Sequence, residues 1–164
     1  MQCQICEVCL NSALLCPSCQ NKLDFGKITE KEIDVLKYLH SLEENIKSLK
    51  DVRICKVIEG NTLTIVTNVG DAPRVVGKGG AVVKMISKNF GKNVRVLEAV
   101  GDLKDFVQNL VSPHPVSGIN TRYSLSGQTY KVRIPNTPNA PIRPDEFSNI
   151  ISSVYGLKAE LVFE

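Results

Sequence analysis

Apolar side chains recur every three or four residues in the stretch after Thr29, which is the spacing of a helix with one buried face. The stripe consists of Val35, Leu39, Leu42, Ile46 and Leu49. Thr29 followed by Glu32 matches a capping box, in which each side chain accepts a hydrogen bond from a backbone N–H at the helix start. The pattern predicts a helix over 29–49 that packs on a core or forms a coiled coil with another chain.

Beyond this helix the apolar and polar residues alternate, as they do in strands. Two strands are predicted over 53–59 and 62–68, with the turn residues Gly60 and Asn61 between them. The elements that follow are a short helix, a glycine-rich loop, a helix over 81–90 that ends at Gly91, and a strand over 93–98. The predicted order of this unit is α-β-β-α-α-β.

The rest of the chain repeats much of this order. The predicted elements are a helix over 102–111, strands over 119–125 and 129–135, a helix over 145–155 and a strand over 157–163. Segments 88–98 and 154–164 also look alike, which indicates a weak internal repeat. Four prolines within 135–144 occupy the place of the glycine-rich loop.

Composition narrows the class of protein. The 164 residues are 43% hydrophobic and 23% charged, as in ordinary globular proteins. No window approaches the ~18 consecutive apolar residues of a membrane span, and no basic-then-apolar signal segment begins the chain. We therefore expect a cytoplasmic protein without a membrane partner. With only two histidines and no paired carboxylates or nucleophile arrangement, we expect neither an enzyme nor a small-molecule substrate.

Five of the six cysteines lie within the first nineteen residues. In a reducing compartment, clustered cysteines indicate metal ligands more than disulfides, although redox or iron–sulfur roles stay open. Two Cys-x-x-Cys pairs fit the tetrahedral coordination of one structural Zn²⁺. The proposed ligands are Cys6, Cys9, Cys16 and Cys19. Cys55 stands apart and is interpreted as a small buried residue.

Cys3 offers a second set of ligands, in which it replaces Cys9. The position two residues after each pair often needs a left-handed backbone, which Asn tolerates. Asn11 and Asn21 occupy those positions in the preferred set, whereas the rival set places the β-branched Val8 there. This argument favours the set with Cys9.

The loop Gly77-Lys78-Gly79-Gly80 has the spacing Gly-x-x-Gly between two predicted helices. A Walker loop would need Ser or Thr after Lys78, and a dinucleotide fingerprint would need a third glycine at Val82, so neither motif is present. Glycines allow a nucleic-acid backbone to approach closely, and the following helix offers free N–H groups.

Positive charge is concentrated around this loop. Residues 72–97 carry six basic and no acidic residues, so this stretch is +6 in a chain of +3. Lys84, Lys88 and Lys92 recur every four residues along one predicted helix face and beyond it, where like charges repel. An anionic ligand would relieve that repulsion. The alternative is a solvated helix face.

Residues 106–144 also lack acidic residues. Lys131 and Arg133 alternate with apolar neighbours and are predicted to share one face of a strand. That face is either solvated or a second contact surface.

The segment from Val75 through the glycine loop to Val83, followed by a helix and a strand, resembles the type II KH domain. The resemblance implies that the loop clamps about four nucleotides of single-stranded RNA while an apolar groove receives the bases. The groove candidates it implies are Val75, Val76, Val82 and Ile86. The RNA-binding residues it implies, with the nearby cations, are Arg74, Val75, Val76, Gly77, Lys78, Gly79, Gly80, Lys84 and Lys88.

Nearly the whole chain resembles the small archaeal NusA-like proteins that join a four-cysteine zinc finger to KH units. We therefore expect an α+β protein with a zinc finger over 1–27, a type II KH domain over 28–99 and a degenerate αββαβ KH-like unit over 102–164. The resemblance implies a transcription elongation or termination factor that binds single-stranded RNA. The alternative is a protein associated with RNA polymerase or the ribosome whose KH fold mainly contacts protein.

Overall fold

The computed structural model describes residues 1–99 and 101–164. The chain divides into two compact units, Met1–Glu98 and Ala99–Glu164. Both units mix helices with a three-stranded sheet, which confirms the predicted α+β class. Within the described residues, no helix is both long and apolar enough to cross a membrane.

The first unit has the element order expected from the sequence. Its helices are α1 (Glu7–Leu10), α2 (Pro17–Asp24), α3 (Glu30–Glu43), α4 (Ala72–Val76) and α5 (Ala81–Phe90), and its strands are β1 (Ile54–Ile58), β2 (Thr62–Thr67) and β3 (Asn93–Glu98). Two 3₁₀ turns, Lys47–Leu49 and Lys78–Gly80, lie between these elements. From α3 to β3 the order is α-β-β-α-α-β, as in type II KH domains.

Strand β2 lies at the centre of the first sheet. It pairs antiparallel with β1, where Ile58 is opposite Thr64, and parallel with β3, where Leu63 is opposite Val94. Helix α3 contacts β1, and α5 contacts β3. The glycine-rich loop between α4 and α5 is therefore carried on a packed sheet.

Helix α3 is shorter than predicted. It ends at Glu43 rather than near Leu49, and Ile46 already has an extended backbone with φ −121° and ψ 100°. A 3₁₀ turn then returns Leu49 to the core, where it is buried. The apolar spacing therefore continues beyond the helix, because the turn preserves the buried face.

The cysteine segment packs into the same apolar cluster as the sheet. Ile5, Cys9 and Cys19 lie in one cluster with residues of α3 and β2, such as Leu39 and Ile65. The segment also extends the sheet, because the N–H of Gln2 donates to Val52 O and the N–H of Ile54 donates to Gln2 O, each at 2.8 Å. Residues 1–27 and 28–98 thus share one hydrophobic core, although the sequence analysis predicts a zinc finger and a KH domain as separate domains.

The second unit repeats the sheet topology without the glycine-rich loop. Its elements are α6 (Leu103–Val111), β4 (Gly118–Ser124), β5 (Gly127–Ile134), α7 (Pro144–Tyr155) and β6 (Lys158–Phe163). The central strand β5 pairs antiparallel with β4 and parallel with β6. This is the αββαβ order predicted for a degenerate KH-like unit. Residues 135–143 connect β5 to α7 without a helix.

Candidate nucleic-acid interface and metal centre

The loop between α4 and α5 is built from glycines with left-handed backbones. Gly77 ends α4 with φ +78°, and Gly79 and Gly80 follow with φ +63° and +76°. A Cβ atom on Gly77 would lie 2.6 Å from Val82 Cγ2, whereas one on Gly79 or Gly80 would meet nothing within 4 Å. Gly77 is therefore required by packing, and the outer side of the loop is open backbone that a ligand can approach.

Three of the predicted cations lie exposed at the loop and along α5. Lys78, Lys84 and Lys88 are exposed, and no hydrogen bond or ion pair joins their side chains to the described residues. Lys92 differs, because its Nζ lies 2.9 Å from Glu59 Oε1 and donates to Gly60 O at 3.0 Å. The predicted row of three lysines is thus corrected to two open lysines and one that is paired.

The guanidinium of Arg74 is hydrogen-bonded within the protein. Its Nη1 donates to Asp71 Oδ1 at 3.3 Å, and its Nη2 donates to the carbonyl of Lys50. These bonds fasten α4 to the turn that precedes β1. The guanidinium predicted to contact RNA therefore has a structural role in this structure.

Most of the apolar groove candidates lie in the core. Val75, Val82 and Ile86 are fully buried beneath the loop and offer no surface to a ligand, and Val76 is half-buried. The structure instead exposes Met85, at 42%, on the outer face of α5. Its place in the sequence one turn after Ala81 and beside Lys84 is the signal that could have identified it.

Helix α5 is fixed against α3 by an aromatic contact. The rings of Tyr38 and Phe90 meet edge to face with centroids 5.6 Å apart, and Lys31 Nζ lies 5.0 Å from the centre of the Phe90 ring. This contact holds the far end of α5, so the helix presents its lysine-bearing face in a defined direction.

The four predicted metal ligands converge at the N-terminus of the first unit. The Sγ atoms of Cys6, Cys9, Cys16 and Cys19 all lie within 4.8 Å of one another. Cys6 Sγ is 3.4 Å from Cys9 Sγ, 3.9 Å from Cys16 Sγ and 3.8 Å from Cys19 Sγ. The cluster could hold a metal ion.

Backbone N–H groups point at three of these sulfurs. The N–H of Cys16 donates to Cys9 Sγ at 3.1 Å, that of Cys19 to Cys16 Sγ at 3.4 Å, and that of Cys6 to Cys19 Sγ at 3.5 Å. Helix α2 begins at Pro17, which places Cys16 at its N-cap. Short helices thus orient the cysteine pairs. The sequence analysis did not predict α2, and Pro17 at its first position is the signal that could have identified it.

The close thiols shift one another's pKa values. The hydrogen bond from the Cys19 N–H, together with neighbouring thiols, lowers the pKa of Cys16 to about 7. The Cys16 N–H favours the Cys9 thiolate, but burial and the other thiols raise the pKa of Cys9 to about 12. Negative charges at these separations oppose one another, and a divalent cation among the sulfurs would relieve that repulsion.

The backbone argument for choosing these four cysteines is wrong. Asn11 has φ −97° rather than a positive φ, and Asn21 lies within α2. Asn11 instead ends α1, where its Nδ2 donates to Glu7 O at 3.0 Å. The cluster itself contains Cys9 and does not contain Cys3. Cys55 lies in β1, half-buried and outside the cluster.

Comparison with known proteins agrees with this geometry. Residues 37–101 match the KH domain family. The chain is 37% identical over 51 residues to the "Probable transcription termination protein NusA" of Methanococcus vannielii, which covers 31% of this chain and 30% of that protein. It is 32% identical over 57 residues to the protein of the same name from Methanocaldococcus jannaschii, covering 35% and 31%.

These matches span about 30% of the length of the curated relatives. Among solved structures, the crystal structure of APE1850 aligns with a TM-score of 0.64 at 23% identity, covering 84% of this chain and all of that one. That likeness concerns the fold. The match to the KH domain family thus covers residues 37–101, and the chain has archaeal NusA-like relatives at modest identity.

Proposed function

We propose that this chain is a non-enzymatic RNA-binding protein whose Gly77–Gly80 loop clamps the backbone of single-stranded RNA. The observation that carries the proposal is the open backbone at Gly79 and Gly80 beside the unpaired Lys78. KH domains use such a loop to hold about four nucleotides. The free space around both glycines leaves room for a sugar–phosphate chain.

The charges near the loop support the same ligand. Lys84 and Lys88 lie one turn apart on the exposed face of α5, without acidic partners among the described residues. Phosphates attract such cations and displace counterions, so binding should weaken steeply as salt rises. Met85 between them supplies an apolar contact that a base could cover.

The names of the relatives support a place in transcription. Two proteins related to this chain are called probable transcription termination proteins. We therefore propose that the RNA is a transcript and that the protein acts in elongation or termination. Binding to RNA polymerase or the ribosome through the KH fold is the alternative that the experiment below distinguishes.

The cysteine cluster fits one structural Zn²⁺. A tetrahedral site with Zn–S bonds of about 2.3 Å requires sulfurs roughly 3.8 Å apart. The separations from Cys6 Sγ are 3.4, 3.8 and 3.9 Å. We propose that Cys6, Cys9, Cys16 and Cys19 hold this ion. All four positions would be filled by protein, so the zinc would stabilise the segment rather than activate a substrate.

The test of RNA binding replaces both Lys78 and Gly79 with Asp. Two carboxylates would face phosphates at the point of closest approach, and such like-charge contacts cost several kcal/mol. At ~1.4 kcal/mol per tenfold, we expect an affinity loss of about a hundredfold or more for a short oligouridylate, measured by fluorescence anisotropy. Asp tolerates a left-handed backbone, so circular dichroism should still report a folded chain.

The control is Lys104→Asp, which reverses one lysine charge at an exposed position of α6 and changes the net charge by −2, against −3 for the loop variant. It should leave the affinity nearly unchanged. If the folded loop variant binds as tightly as the wild type at physiological salt, the loop does not hold RNA. Retained binding to RNA polymerase or the ribosome would then favour the protein-contact alternative.

A further inference from the structure

The two cysteines that begin the Cys-x-x-Cys pairs occupy equivalent places but have different surroundings. Cys6 is at the N-cap of α1, and Cys16 is at the N-cap of α2. Cys16 Sγ accepts a hydrogen bond from the N–H of Cys19, whereas no backbone N–H of the described residues donates to Cys6 Sγ. Cys9 and Cys19 each accept one backbone N–H. Within the part of the chain that the structure describes, Cys6 is therefore the one sulfur of the cluster without such a donor.

Cys6 is also the most exposed of the four cysteines. Cys9 and Cys19 are buried, at 0% and 2% exposure, and Cys16 is half-buried, whereas Cys6 is exposed. The two residues that follow Cys6 in α1 are exposed as well. A small molecule from solvent can therefore reach this corner of the cluster first. One of those two residues is the acidic Glu7, so an uncharged reagent is favoured there over an anionic one.

Exposure and hydrogen bonding together determine how readily a metal-binding sulfur is oxidised. Cysteines that bind zinc do so as thiolates, so all four sulfurs of the proposed site would carry the same kind of negative charge. A backbone N–H that donates to a thiolate stabilises that charge and makes the sulfur a weaker nucleophile. Oxidation also requires that the reagent reach the sulfur. Both conditions favour Cys6 over the other three cysteines.

We propose that Cys6 is the site at which a hydroperoxide oxidises the cluster, and that Cys9 completes the reaction by forming a disulfide with it. The proposal rests on the zinc site proposed above, but it concerns a modification of that site. The sulfurs of Cys6 and Cys9 are 3.4 Å apart. Those of Cys19 and Cys16 are farther from Cys6 Sγ, at 3.8 and 3.9 Å. Cys9 is therefore the nearest sulfur to an oxidised Cys6.

The reaction with hydrogen peroxide has two steps. The Cys6 thiolate first attacks one peroxide oxygen, the O–O bond breaks, and hydroxide leaves with the bonding electron pair, which gives a sulfenic acid on Cys6. The Cys9 thiolate then attacks the Cys6 sulfur, the S–O bond breaks, and a second hydroxide leaves. The two sulfurs lose two electrons to the peroxide, and two protons from solvent convert the hydroxides to water. Only two sulfurs of the cluster then remain as metal ligands.

The experiment uses the full chain with Cys3→Ser and Cys55→Ser, so that only the cysteines of the cluster can react. Elemental analysis first measures its zinc. Substoichiometric hydrogen peroxide is then added, and the remaining thiols are alkylated under denaturing conditions. Cleavage after Glu7 separates Cys6 from the other three cluster cysteines, and tandem mass spectrometry locates the disulfide. We expect the first disulfide to link the two fragments through Cys6 and Cys9, with about one zinc released per disulfide.

Histidine at one ligand position provides a matched comparison, because three cysteines and one histidine also form a tetrahedral zinc site. Cys6→His removes the sulfur proposed to react first, and Cys16→His removes its counterpart at the start of the other pair. A chelator that changes colour follows the release of zinc after peroxide is added. We expect Cys6→His to slow this release several-fold more than Cys16→His does.

The outcomes separate this proposal from the metal site on which it rests. A first disulfide between any other pair of cysteines, such as Cys16 and Cys19, overturns the proposal and leaves the zinc site intact. Equal slowing of zinc release in the two histidine variants also overturns it. If either variant binds no zinc, the position of the first disulfide decides alone. A parent chain that contains no zinc contradicts the metal site itself, and this proposal with it.

Discussion

The carboxylate of Glu32 accepts a hydrogen bond from the backbone N–H of Val57 at 3.1 Å, which joins α3 to β1 through a buried side chain. Lys56 Nζ lies 3.4 Å from the other carboxylate oxygen. Burial raises the pKa of Glu32, although the Val57 N–H and Lys56 act to lower it. Glu32, which the sequence predicts to cap the start of α3, therefore also links α3 to β1.

The raised pKa of Glu32 gives the stability of the first unit a specific pH dependence. The folded state binds this proton more tightly than the unfolded chain does, so stability falls as pH rises from the ordinary Glu value through the raised one. We expect Glu32→Gln, which keeps an acceptor for Val57, to gain stability relative to the wild type over that window. Urea unfolding between about pH 4 and 8 measures the difference.

Glu30→Gln is the matched control, because Glu30 lies exposed in the first turn of the same helix. Glu30→Gln should not show this pH-dependent gain in unfolding free energy relative to the wild type. A constant offset between Glu32→Gln and the wild type at every pH would contradict the prediction.

Metal content should distinguish the two possible sets of zinc ligands. We expect one zinc per chain, lost in Cys9→Ser and kept in Cys3→Ser, because Cys9 belongs to the sulfur cluster and Cys3 does not. Cys55→Ser is the control for replacing a cysteine outside the cluster. Elemental analysis of the purified variants gives the answer. Full zinc in Cys9→Ser with loss in Cys3→Ser would assign the site to the rival set.

Replacing Gly77 or Gly79 with alanine should destabilise the protein to different extents. A methyl group on Gly77 meets Val82 at 2.6 Å and needs a left-handed backbone, so Gly77→Ala should cost about 2–4 kcal/mol. Gly79→Ala has open space and should cost only the backbone term of about 1–2 kcal/mol. Denaturant unfolding compares them, and equal losses would mean that the packing against Val82 is not limiting.

Arg74 should matter for stability more than for RNA. Arg74→Ala removes the bonds to Asp71 and to the carbonyl of Lys50, and the half-exposed position limits the loss to about 1 kcal/mol. Lys84→Ala on exposed α5 should change stability by less than about 0.5 kcal/mol but should weaken RNA binding. The assignment fails if Arg74→Ala leaves the unfolding free energy unchanged and weakens RNA binding instead.

Local sequence patterns were sufficient to predict most of the helices and strands and the glycine-rich loop. The spacing of Gly77 and Gly80 and the alternation in β1 and β2 are properties of neighbouring residues, and the structure has those elements. The four cysteines also converge as their spacing suggests. Each of these features depends on chemistry within a short segment of chain.

The features that sequence reasoning missed depend on residues far apart in the chain. The bond between Glu32 and Val57 spans 25 positions, and Arg74 reaches back 24 positions to Lys50. The burial of Val75 and the pairing of Lys92 likewise depend on the sheet beneath them. The positive φ expected at Asn11 is not observed: Asn11 ends α1 with φ −97°, and its side chain bonds to Glu7 O and His40.

Helix α3 is hydrogen-bonded to both the cysteine segment and the sheet. Lys37 Nζ donates to Ser12 O at 2.8 Å, and His40 Nε2 lies 3.0 Å from Asn11 Oδ1, so the helix is fastened to the cysteine segment as well as to the sheet. If the cluster binds zinc as proposed, loss of the metal would also loosen the packing of α3 and so destabilise the whole first unit. A cell short of zinc would then lose this protein to proteolysis, not merely to inactivity.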